Sequence, residues 1–285
     1  MRNFNEAIAT DAVIQRMAQS KDPRFLEIIS SVIRHLHGIV RDVEPTMEEW
    51  SRAIQFLTQC GQNSDDKRQE FILLSDTLGI SMLLESINNR TEGDATEATV
   101  LGPFHAAAPD MAMGDTLPGA GEPTLVSGRI MDISDNPVSG ARIDVWQTAG
   151  DGFYDVQRTG SDELNRGVFT TGDDGRYWFK TVKPVSYEVP TDGPVGDMLR
   201  QMNRDAWRPA HIHFMLTAPG YRKLTTHIFV ESDPYLEDDA VFAVRESLIR
   251  TFIQIEDPDE IQRRGFDGPF WKVDSDFVLQ PEVPG

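Results

Sequence analysis

The spacing of hydrophobic residues changes near Gly93, and this change constrains the fold more than any other feature of the sequence. Before Gly93, apolar residues recur every three or four positions, which is the period of a helix packed on one face. After about Leu125, short alternating stretches are separated by turn-forming residues, a pattern typical of β-strands. A helical segment followed by many short strands predicts an α+β fold with an antiparallel β-sandwich.

The first hundred residues predict four helices joined by short polar connections. Asp22 followed by Pro23 favours the start of a long helix, because aspartate caps free N–H groups and proline fits the first turn. Thr46 and Glu49, three residues apart, predict a capping box at the start of the next helix. A further helical stretch, mildly interrupted by Gly79, carries Phe71, Leu74, Leu78 and Met82.

The later part predicts several short strands and one late helix. Turn-forming residues separate the strands at 135–137, 173–175 and 219–220. The strands are expected at about 125–131, 141–146, 168–171, 177–179, 211–217 and 224–230. An amphipathic helix is expected near 239–255.

Charge and cysteine content exclude several classes of protein. Among 285 residues, 46 acidic and 27 basic side chains give a formal net charge of −19, which repels nucleic-acid phosphates and anionic lipid headgroups. The lone Cys60 can form neither an internal disulfide nor a multi-thiolate metal site. No apolar run approaches the roughly 18 residues of a membrane span, and residues 1–20 lack the apolar segment of a signal peptide. We therefore expect a cytoplasmic protein that binds neither nucleic acid nor membrane.

His211 and His213 form the sharpest local pattern. Residues two apart in a strand point to the same side of a sheet, so both imidazoles can reach one ion. Imidazole pairs suit iron, copper, zinc or nickel, but a zinc hydrolase or a ferrous two-histidine centre also needs a well-placed carboxylate. No motif supplies that carboxylate. The alternative is two hydrogen-bonded histidines on a polar sheet face.

Tyrosine is scarce, and two of the five tyrosines, Tyr154 and Tyr187, lie in loop-like segments. A free phenol has a pKa of about 10, so it binds a metal as phenolate only beside a strongly Lewis-acidic ion. Two phenolates with two imidazoles make a hard, anionic donor set that favours Fe(III). Both tyrosines are also explained as ordinary packing residues. The residues alone therefore leave open whether this β-sandwich has a metal site.

Four longer motifs contain these residues. They are Asp144-Val-Trp-Gln-Thr-Ala-Gly-Asp-Gly-Phe-Tyr154, Val185-Ser-Tyr187, Arg208-Pro-Ala-His-Ile-His-Phe214 and Ala218-Pro-Gly-Tyr-Arg-Lys-Leu-Thr-Thr226. In these motifs the chain resembles the intradiol ring-cleaving dioxygenases, and among them the hydroxyquinol-cleaving branch. The resemblance extends over nearly the whole chain.

The resemblance implies an Fe(III) ion bound by Tyr154, Tyr187, His211 and His213, with Arg208 stabilising the anionic substrate. It implies that Tyr187 is the labile ligand and accepts a substrate proton. It also implies a helical dimerisation domain over residues 1–105 and a catalytic β-sandwich domain over residues 106–285, which contains the late helix near 239–255. A homodimer that pairs through the N-terminal helices, with phospholipid between them, is implied as well.

The substrate implied by the resemblance is a small aromatic diol or triol that reacts with O2. The residues that align with the pocket wall are Leu73, Asp76, Val100, Leu101, Gly102, Pro103, Phe104, Arg208, His227, Ala240 and Val241. Asp76 replaces a non-ionic residue of the catechol-cleaving branch, and His227 replaces its glutamine. A carboxylate at position 76 would accept a hydrogen bond from the third hydroxyl of hydroxyquinol (benzene-1,2,4-triol). From the helical pattern alone, Asp76 is better explained as a solvated helix residue, and only the family resemblance favours a role in the pocket.

The expected reaction converts hydroxyquinol to 3-hydroxy-cis,cis-muconate, a tautomer of maleylacetate, in aromatic catabolism. Two other functions stay open. A catechol or chlorocatechol 1,2-dioxygenase would use the same iron ligands on a different ring. A non-enzymatic, prealbumin-like β-sandwich binding module would explain the strand and turn residues, but it does not require Tyr187, Arg208, His211 or His213.

Overall fold

The computed structural model describes residues 3–65, 68–158 and 165–282. The helices are α1 (Ala9–Arg16), α2 (Pro23–Val43), α3 (Met47–Gln62), α4 (Glu70–Thr77), α5 (Ile80–Asn88), α6 (Pro194–Gln201) and α7 (Pro258–Arg264). The strands are β1 (Pro123–Asp132), β2 (Arg142–Trp146), β3 (Arg166–Thr170), β4 (Arg176–Val182), β5 (Tyr187–Glu188), β6 (Trp207–Arg208), β7 (His211–Thr217), β8 (Leu224–Val230), β9 (Ile249–Arg250), β10 (Ile253–Ile255), β11 (Phe270–Asp274) and β12 (Phe277–Leu279). Met1–Thr58 and Gln59–Gly285 form two compact units. The expected domain boundary at residue 105 stays a prediction.

The first unit consists of α1, α2 and most of α3. Asp22 caps α2 by accepting a hydrogen bond from a backbone N–H of the first turn, and Pro23 begins the helix, as predicted. Thr46 and Glu49 exchange the predicted capping-box hydrogen bonds at the start of α3. The apolar side of α2 is exposed in the single chain, as at Leu36, which is 55% exposed. In the described ranges, no helix combines the length and the apolar character needed to cross a membrane.

The described residues up to Asn88 form five helices, not the expected four. Gly79 separates α4 from α5 because its backbone is left-handed, with φ of 72°. Glycine adopts this conformation without the steric cost that other residues incur. A side chain at position 79 would also contact the Phe242 ring. The mild interruption predicted from the sequence is therefore a complete helix break.

Two five-stranded sheets form a β-sandwich in the second unit. One sheet has the order β10-β11-β1-β12, with β4 also paired to β1, and the other has the order β3-β2-β7-β8-β9. Most pairs are antiparallel, but β1 is parallel to β11 and β12, and β8 is parallel to β9. Side chains of both sheets share one core, including Val126 and Phe179 from the first and Ile143 and Phe214 from the second. The predicted α+β fold is confirmed.

The helix predicted near 239–255 is wrong. The segment contains turns, a 3₁₀ turn at Glu246–Leu248, and strands β9 and β10. The Asp239 carboxylate accepts a hydrogen bond from the backbone N–H of Ala243 at 2.9 Å, and Phe242 has a left-handed φ of 60°. Both features prevent the first turn of the segment from being helical. The β-branched isoleucines that follow lie instead in the short strands β9 and β10.

A buried ion pair anchors two loops to β3. Arg166 is 1% exposed, and its Nε donates to Oδ2 of Asp155 at 2.7 Å. The other nitrogens of Arg166 donate to the backbone carbonyls of Phe104 and Ala106, at 3.1 and 3.2 Å. One guanidinium therefore fixes the loop that contains Tyr154 against the segment that contains Phe104.

Replacing Arg166 with alanine is expected to lower the free energy of unfolding by about 3–5 kcal/mol. The substitution leaves the Asp155 carboxylate and two carbonyl groups buried without their donor. Arg142→Ala is the matched control, because Arg142 pairs with Asp110 at the surface and should contribute under about 1 kcal/mol. Chemical denaturation measures both variants. Equal losses would contradict the anchoring role of Arg166.

Candidate active site

A row of side chains crosses three neighbouring strands of the second sheet. His213 on β7 is the direct cross-strand partner of Trp146 on β2 and of His227 on β8. His211 lies two residues before His213, so the two imidazoles lie on one side of the sheet, as the spacing predicted. The Trp146 ring stacks on the His213 imidazole, with ring centroids 4.6 Å apart. The sheet register therefore fixes the position of these imidazoles.

Two tyrosine hydroxyls reach the same point from outside the sheet. Tyr154 follows β2 in a loop, and Tyr187 on β5 is the direct partner of Arg208 on β6. Tyr154 Oη lies 3.3 Å from Tyr187 Oη, 3.3 Å from His211 Nε2 and 3.0 Å from His213 Nε2. The two Nε2 atoms are 3.1 Å apart. Donor atoms that bind one ion at about 2.0–2.1 Å lie roughly 3 Å from each other, so the four atoms have the spacing of ligands to a single metal.

Both histidines are neutral. His211 Nδ1 lies 2.7 Å from the carbonyl oxygen of Pro209, which only accepts hydrogen bonds, so Nδ1 carries the proton and Nε2 presents its lone pair. Burial, and then the charge of Arg208, lower the pKa of His211 well below its ordinary value. Burial, and then His227, do the same to the pKa of His213. Neutral imidazole is the form that binds metal ions.

Tyr154 needs a cation before it can ionise. Burial raises the pKa of its phenol well above the ordinary value, and the neighbouring Tyr187 raises it further. Arg208 counters only part of this increase. A metal ion bound by both phenols would supply the missing positive charge.

Four nitrogen atoms in this region are buried without a hydrogen-bond partner among the described residues. They are Trp146 Nε1, His213 Nδ1, His227 Nε2 and Arg208 Nη2. A buried donor or acceptor without a partner costs free energy, which a bound ligand can recover. The donor set and these unpaired atoms therefore fit a bound metal ion and a polar substrate.

Arg208 places a permanent positive charge beside the tyrosines and histidines. The side chain is buried, with Nη1 3.4 Å from Tyr187 Oη and 3.3 Å from His211 Nε2. Burial alone would lower the pKa of Arg208, but Asp239 and the two tyrosines raise it above its ordinary value. Arg208 is thus a cationic hydrogen-bond donor that faces the four converging atoms.

A cavity of about 740 Å³ opens beside these atoms. Leu73, Pro103 and Phe104, three of the predicted wall residues, line it together with Tyr187. The Phe104 ring also stacks on Tyr154, with centroids 4.6 Å apart. The cavity is large enough for an aromatic ring, and its walls combine apolar side chains such as Leu73 and Phe104 with polar and charged ones such as Arg68 and Glu188.

The other predicted wall residues lie outside the lining of this cavity. They are Asp76, Val100, Leu101, Gly102, Arg208, His227, Ala240 and Val241. Gly102 has a left-handed φ of 73°, and a Cβ at this position would lie 3.4 Å from the His213 ring, so the backbone passes directly against the imidazole. Val100 and Val241 are buried, whereas Leu101 is exposed.

Asp76 is 4% exposed, so it is not a solvated helix residue. Burial raises the pKa of its carboxyl group, an effect that the Ser81 hydroxyl and the charge of Arg208 counter. Asp76 is therefore a buried acid within electrostatic range of Arg208.

Helix α4, which carries Asp76, is fastened at both ends. At its start, Glu70 Oε1 accepts a hydrogen bond from the backbone N–H of Val195 at 3.1 Å. At its end, Arg204 donates to the backbone carbonyl of Thr77 and also to that of Ala240. Arg204 thus links the end of α4 to the loop that follows β8.

Three residues that shape the site were missed from the sequence. Arg166 fixes the Tyr154 loop, Asp239 binds Arg208, and the Thr99 hydroxyl contacts His227 Nδ1. Each forms its contact with residues distant in the chain, and no local pattern marks any of them. The only available signal for Asp239 was its place in an acidic turn, which is common in a chain with 46 acidic residues.

Comparisons with known proteins agree with this geometry. Residues 101–281 match the family model described as dioxygenase, and residues 22–96 match the model described as catechol dioxygenase N terminus. A hydroxyquinol 1,2-dioxygenase from Rhizobium sp. (strain MTP-10005) is 53% identical over 282 residues, which cover 97% of this chain and 96% of that protein. The structure of a hydroxyquinol 1,2-dioxygenase from Pseudomonas putida DLL-E4 has a TM-score of 0.89 at 46% identity, covering 97% of this chain and 99% of that chain. Catechol 1,2-dioxygenase from Acinetobacter radioresistens has a TM-score of 0.87 at 28% identity, covering 99% of this chain and 95% of that chain. The chain therefore belongs to the intradiol ring-cleaving dioxygenase family.

Proposed function

We propose that this dioxygenase cleaves hydroxyquinol with O2 between the two carbons that carry its vicinal hydroxyls. The product is 3-hydroxy-cis,cis-muconate, which tautomerises to maleylacetate, in the catabolism of aromatic compounds. The observation that carries the proposal is the convergence of two phenol oxygens and two imidazole nitrogens, with Tyr154 Oη 3.0–3.3 Å from each of the other three atoms, beside a cavity large enough for the ring. Relatives named hydroxyquinol 1,2-dioxygenase support this choice of ring.

We assign Tyr154, Tyr187, His211 and His213 as the ligands of Fe(III). Two phenolates and two neutral imidazoles form a hard, anionic donor set that suits ferric iron better than a divalent ion. Bound Fe(III) would supply the positive charge that ionises the phenols, and it would make the bound ring reactive towards O2.

Tyr187 and Arg208 act on the charge of the substrate: Tyr187 accepts a proton from it, and Arg208 stabilises the resulting anion. A vicinal diol that binds as a dianion must lose two protons. Tyr187, ionised in the metal-bound state, would accept one at Oη, and a hydroxide ion from solvent would accept the other. Tyr187 suits this role because it lines the cavity, whereas Tyr154 is fully buried beneath the Phe104 ring. Arg208 then stabilises the anionic oxygen through Nη1 and the unpaired Nη2.

Asp76 is the residue that selects hydroxyquinol. A buried carboxylate is costly unless a donor reaches it, and the third hydroxyl of hydroxyquinol is such a donor. Leu73, one turn earlier on the same face of α4, already lines the cavity. Catechol lacks the third hydroxyl and would leave Asp76 without this partner.

The second candidate function is a catechol or chlorocatechol 1,2-dioxygenase. The same ligands would serve either ring, and the Acinetobacter radioresistens enzyme has a similar fold. The buried charge of Asp76 favours hydroxyquinol over these rings. Membership of the dioxygenase family excludes the non-enzymatic binding module.

We further propose that residues 1–105 form a dimerisation domain and residues 106–285 the catalytic domain. The change from one family model to the other between residues 96 and 101 supports this division. Pairing of two chains through the N-terminal helices is supported by the exposed apolar residues of α2 and α3. These are Phe25, Ile28, Val32, Leu36, Ile39, Val40, Val43, Met47, Trp50, Ile54 and Leu57.

An apolar cavity of about 750 Å³ in the first unit is the proposed site for phospholipid. Its lining includes Leu36, Ile39, Val40, Val43 and Trp50. Acyl chains bind such surfaces because burial removes apolar area from water.

We place the enzyme in the cytoplasm, which the single, unpaired Cys60 supports.

The purified protein is expected to contain one ferric ion per chain and to be red-brown, because phenolate-to-iron charge transfer absorbs visible light. Tyr154→Phe and Tyr187→Phe should each shift or weaken this band. Tyr221→Phe is the control, since the Tyr221 hydroxyl contacts Asp132 away from the site. Metal analysis and absorption spectroscopy provide the readouts. Stoichiometric zinc without a visible band in active protein would refute the assignment of Fe(III).

Wild-type protein is expected to prefer hydroxyquinol over catechol by roughly 10- to 150-fold in kcat/KM, the contribution of one hydrogen bond to a charged group. Asp76→Ala should abolish the preference through loss of hydroxyquinol turnover, while catechol turnover holds or improves. Asp197→Asn, which alters an exposed carboxylate on α6, should leave the ratio unchanged. Oxygen uptake and mass spectrometry of the product measure these outcomes.

One result would contradict the proposed substrate, and another would contradict the proposed reaction. Equal or higher kcat/KM for catechol in the wild type would transfer the assignment to a catechol 1,2-dioxygenase. A yellow semialdehyde product would mean that the ring is cleaved beside the hydroxyls and not between them.

In solution the protein is expected to have about twice the 32.0 kDa mass of one chain. The double variant Leu36→Gln, Val40→Gln should be monomeric, because both positions lie on the exposed apolar face of α2. Arg34→Gln, on the opposite face of the helix, should stay dimeric. Light scattering after size-exclusion chromatography distinguishes the two states, and a monomeric wild type would refute the pairing.

A further inference from the structure

Arg208 uses the two ends of its guanidinium differently. Nε donates to Oδ1 of Asp239 at 3.1 Å, whereas Nη1 lies 3.4 Å from Tyr187 Oη and 3.3 Å from His211 Nε2. Nη2 is buried and has no hydrogen-bond partner among the described residues. A guanidinium is planar, so the group that binds Nε determines where both Nη atoms point. Asp239 is that group.

The Asp239 carboxylate is itself fixed by the backbone of its loop. Oδ1 also accepts a hydrogen bond from the N–H of Val241 at 3.3 Å, and Oδ2 accepts one from the N–H of Ala243 at 2.9 Å. The Asp239 side chain is 2% exposed. Asp239 therefore keeps its position independently of Arg208, and Arg208 is the partner whose orientation is determined by the contact.

The contact with Asp239 is the contact that holds Nε. Asp76 is a second buried acid within electrostatic range, and the charge of Arg208 lowers its pKa while the charge of Asp239 raises it. If Nε lost its partner, the guanidinium would be free to reorient, and its Nη atoms would no longer be held towards the substrate.

We propose that Asp239 is a positioning residue, which binds Nε of Arg208 so that Nη1 and Nη2 face the substrate oxygens at the metal centre. The inference rests on the proposed function, because it concerns the same site. A donor that is already oriented stabilises the charge that develops on the substrate better than one that must first reorient. Asp239 acts only through Arg208.

The test compares Asp239→Asn with Asp238→Asn in the iron-loaded protein. Asp238 is the exposed neighbour of Asp239, so its substitution makes the same chemical change without touching Arg208. Asp239→Asn should lower kcat for hydroxyquinol roughly 10- to 100-fold, with KM and iron content little changed, because the loss concerns orientation and not metal binding. Asp238→Asn should behave as the wild type.

A spectroscopic readout and a double variant separate positioning from a general structural role. In the anaerobic complex with hydroxyquinol, the charge-transfer band of Asp239→Asn should move to longer wavelength, since an oxygen that loses a hydrogen bond donates charge more readily. Arg208→Lys, which has no Nε–Asp239 bond, should shift the band in the same direction. Adding Asp239→Asn to Arg208→Lys should lower kcat less than about twofold further.

Three outcomes would overturn the proposal. One is wild-type kcat in Asp239→Asn, and another is a full additional loss of kcat in the double variant. The third concerns folding. If Asp239→Asn does not fold, Asp239→Ser is tested in its place, because serine keeps a side-chain acceptor for the loop N–H groups. If Asp239→Ser also fails to fold, Asp239 serves only to hold the loop. Absence of iron and of hydroxyquinol cleavage in the wild type would instead refute the proposed function.

Discussion

Five polar side chains share a volume that water barely reaches, and the free-energy cost of burying them is the constraint on which the rest of the site depends. Tyr154, Tyr187, Arg208, His211 and His213 are each at most 7% exposed. Each hydrogen-bonding group without a partner costs about 1–3 kcal/mol, and a guanidinium costs more. Their mutual contacts offset only part of this cost, because some nitrogens still lack partners among the described residues. A metal ion that binds these side chains would recover part of this cost only in the folded chain. Metal binding should therefore stabilise the fold.

The fold holds the two halves of this site by different means. The histidines belong to β7, and hydrogen bonds to β2 and β8 on either side fix their register. Tyr154 comes from a loop and Tyr187 from a two-residue strand, so long-range contacts must hold them. Arg166 fixes the loop of Tyr154, and the Arg208–Asp239 ion pair lies beside Tyr187. The histidines are therefore held by the register of the sheet, and the tyrosines by side-chain contacts between distant segments.

Features that depend on a few neighbouring residues were predictable from the sequence. The cap at Asp22 and the shared side of His211 and His213 follow from local geometry, and the structure contains both. The role of Asp239 was not predictable, because its partner lies 31 residues away and forms only once the loop has folded. The helix expected near 239–255 failed for a related reason, since the left-handed backbone of Phe242 interrupts an apolar period that is helical in sequence. For the two tyrosines, 33 residues apart, residue chemistry left metal binding open, and only the family resemblance assigned them as ligands.

Under the proposed function, helix α4 carries the residue that selects the substrate, while other elements carry the residues that bind the metal. Asp76 and Leu73 lie on this eight-residue helix, whereas the four converging donors lie on strands and loops of the sandwich. Glu70 and Arg204 hold the two ends of this helix in place. Substitutions between them can therefore alter the wall of the cavity without moving the four metal-binding atoms. Related enzymes could therefore evolve specificity for a different aromatic ring through substitutions within the two turns of α4, while the four metal-binding side chains stay the same.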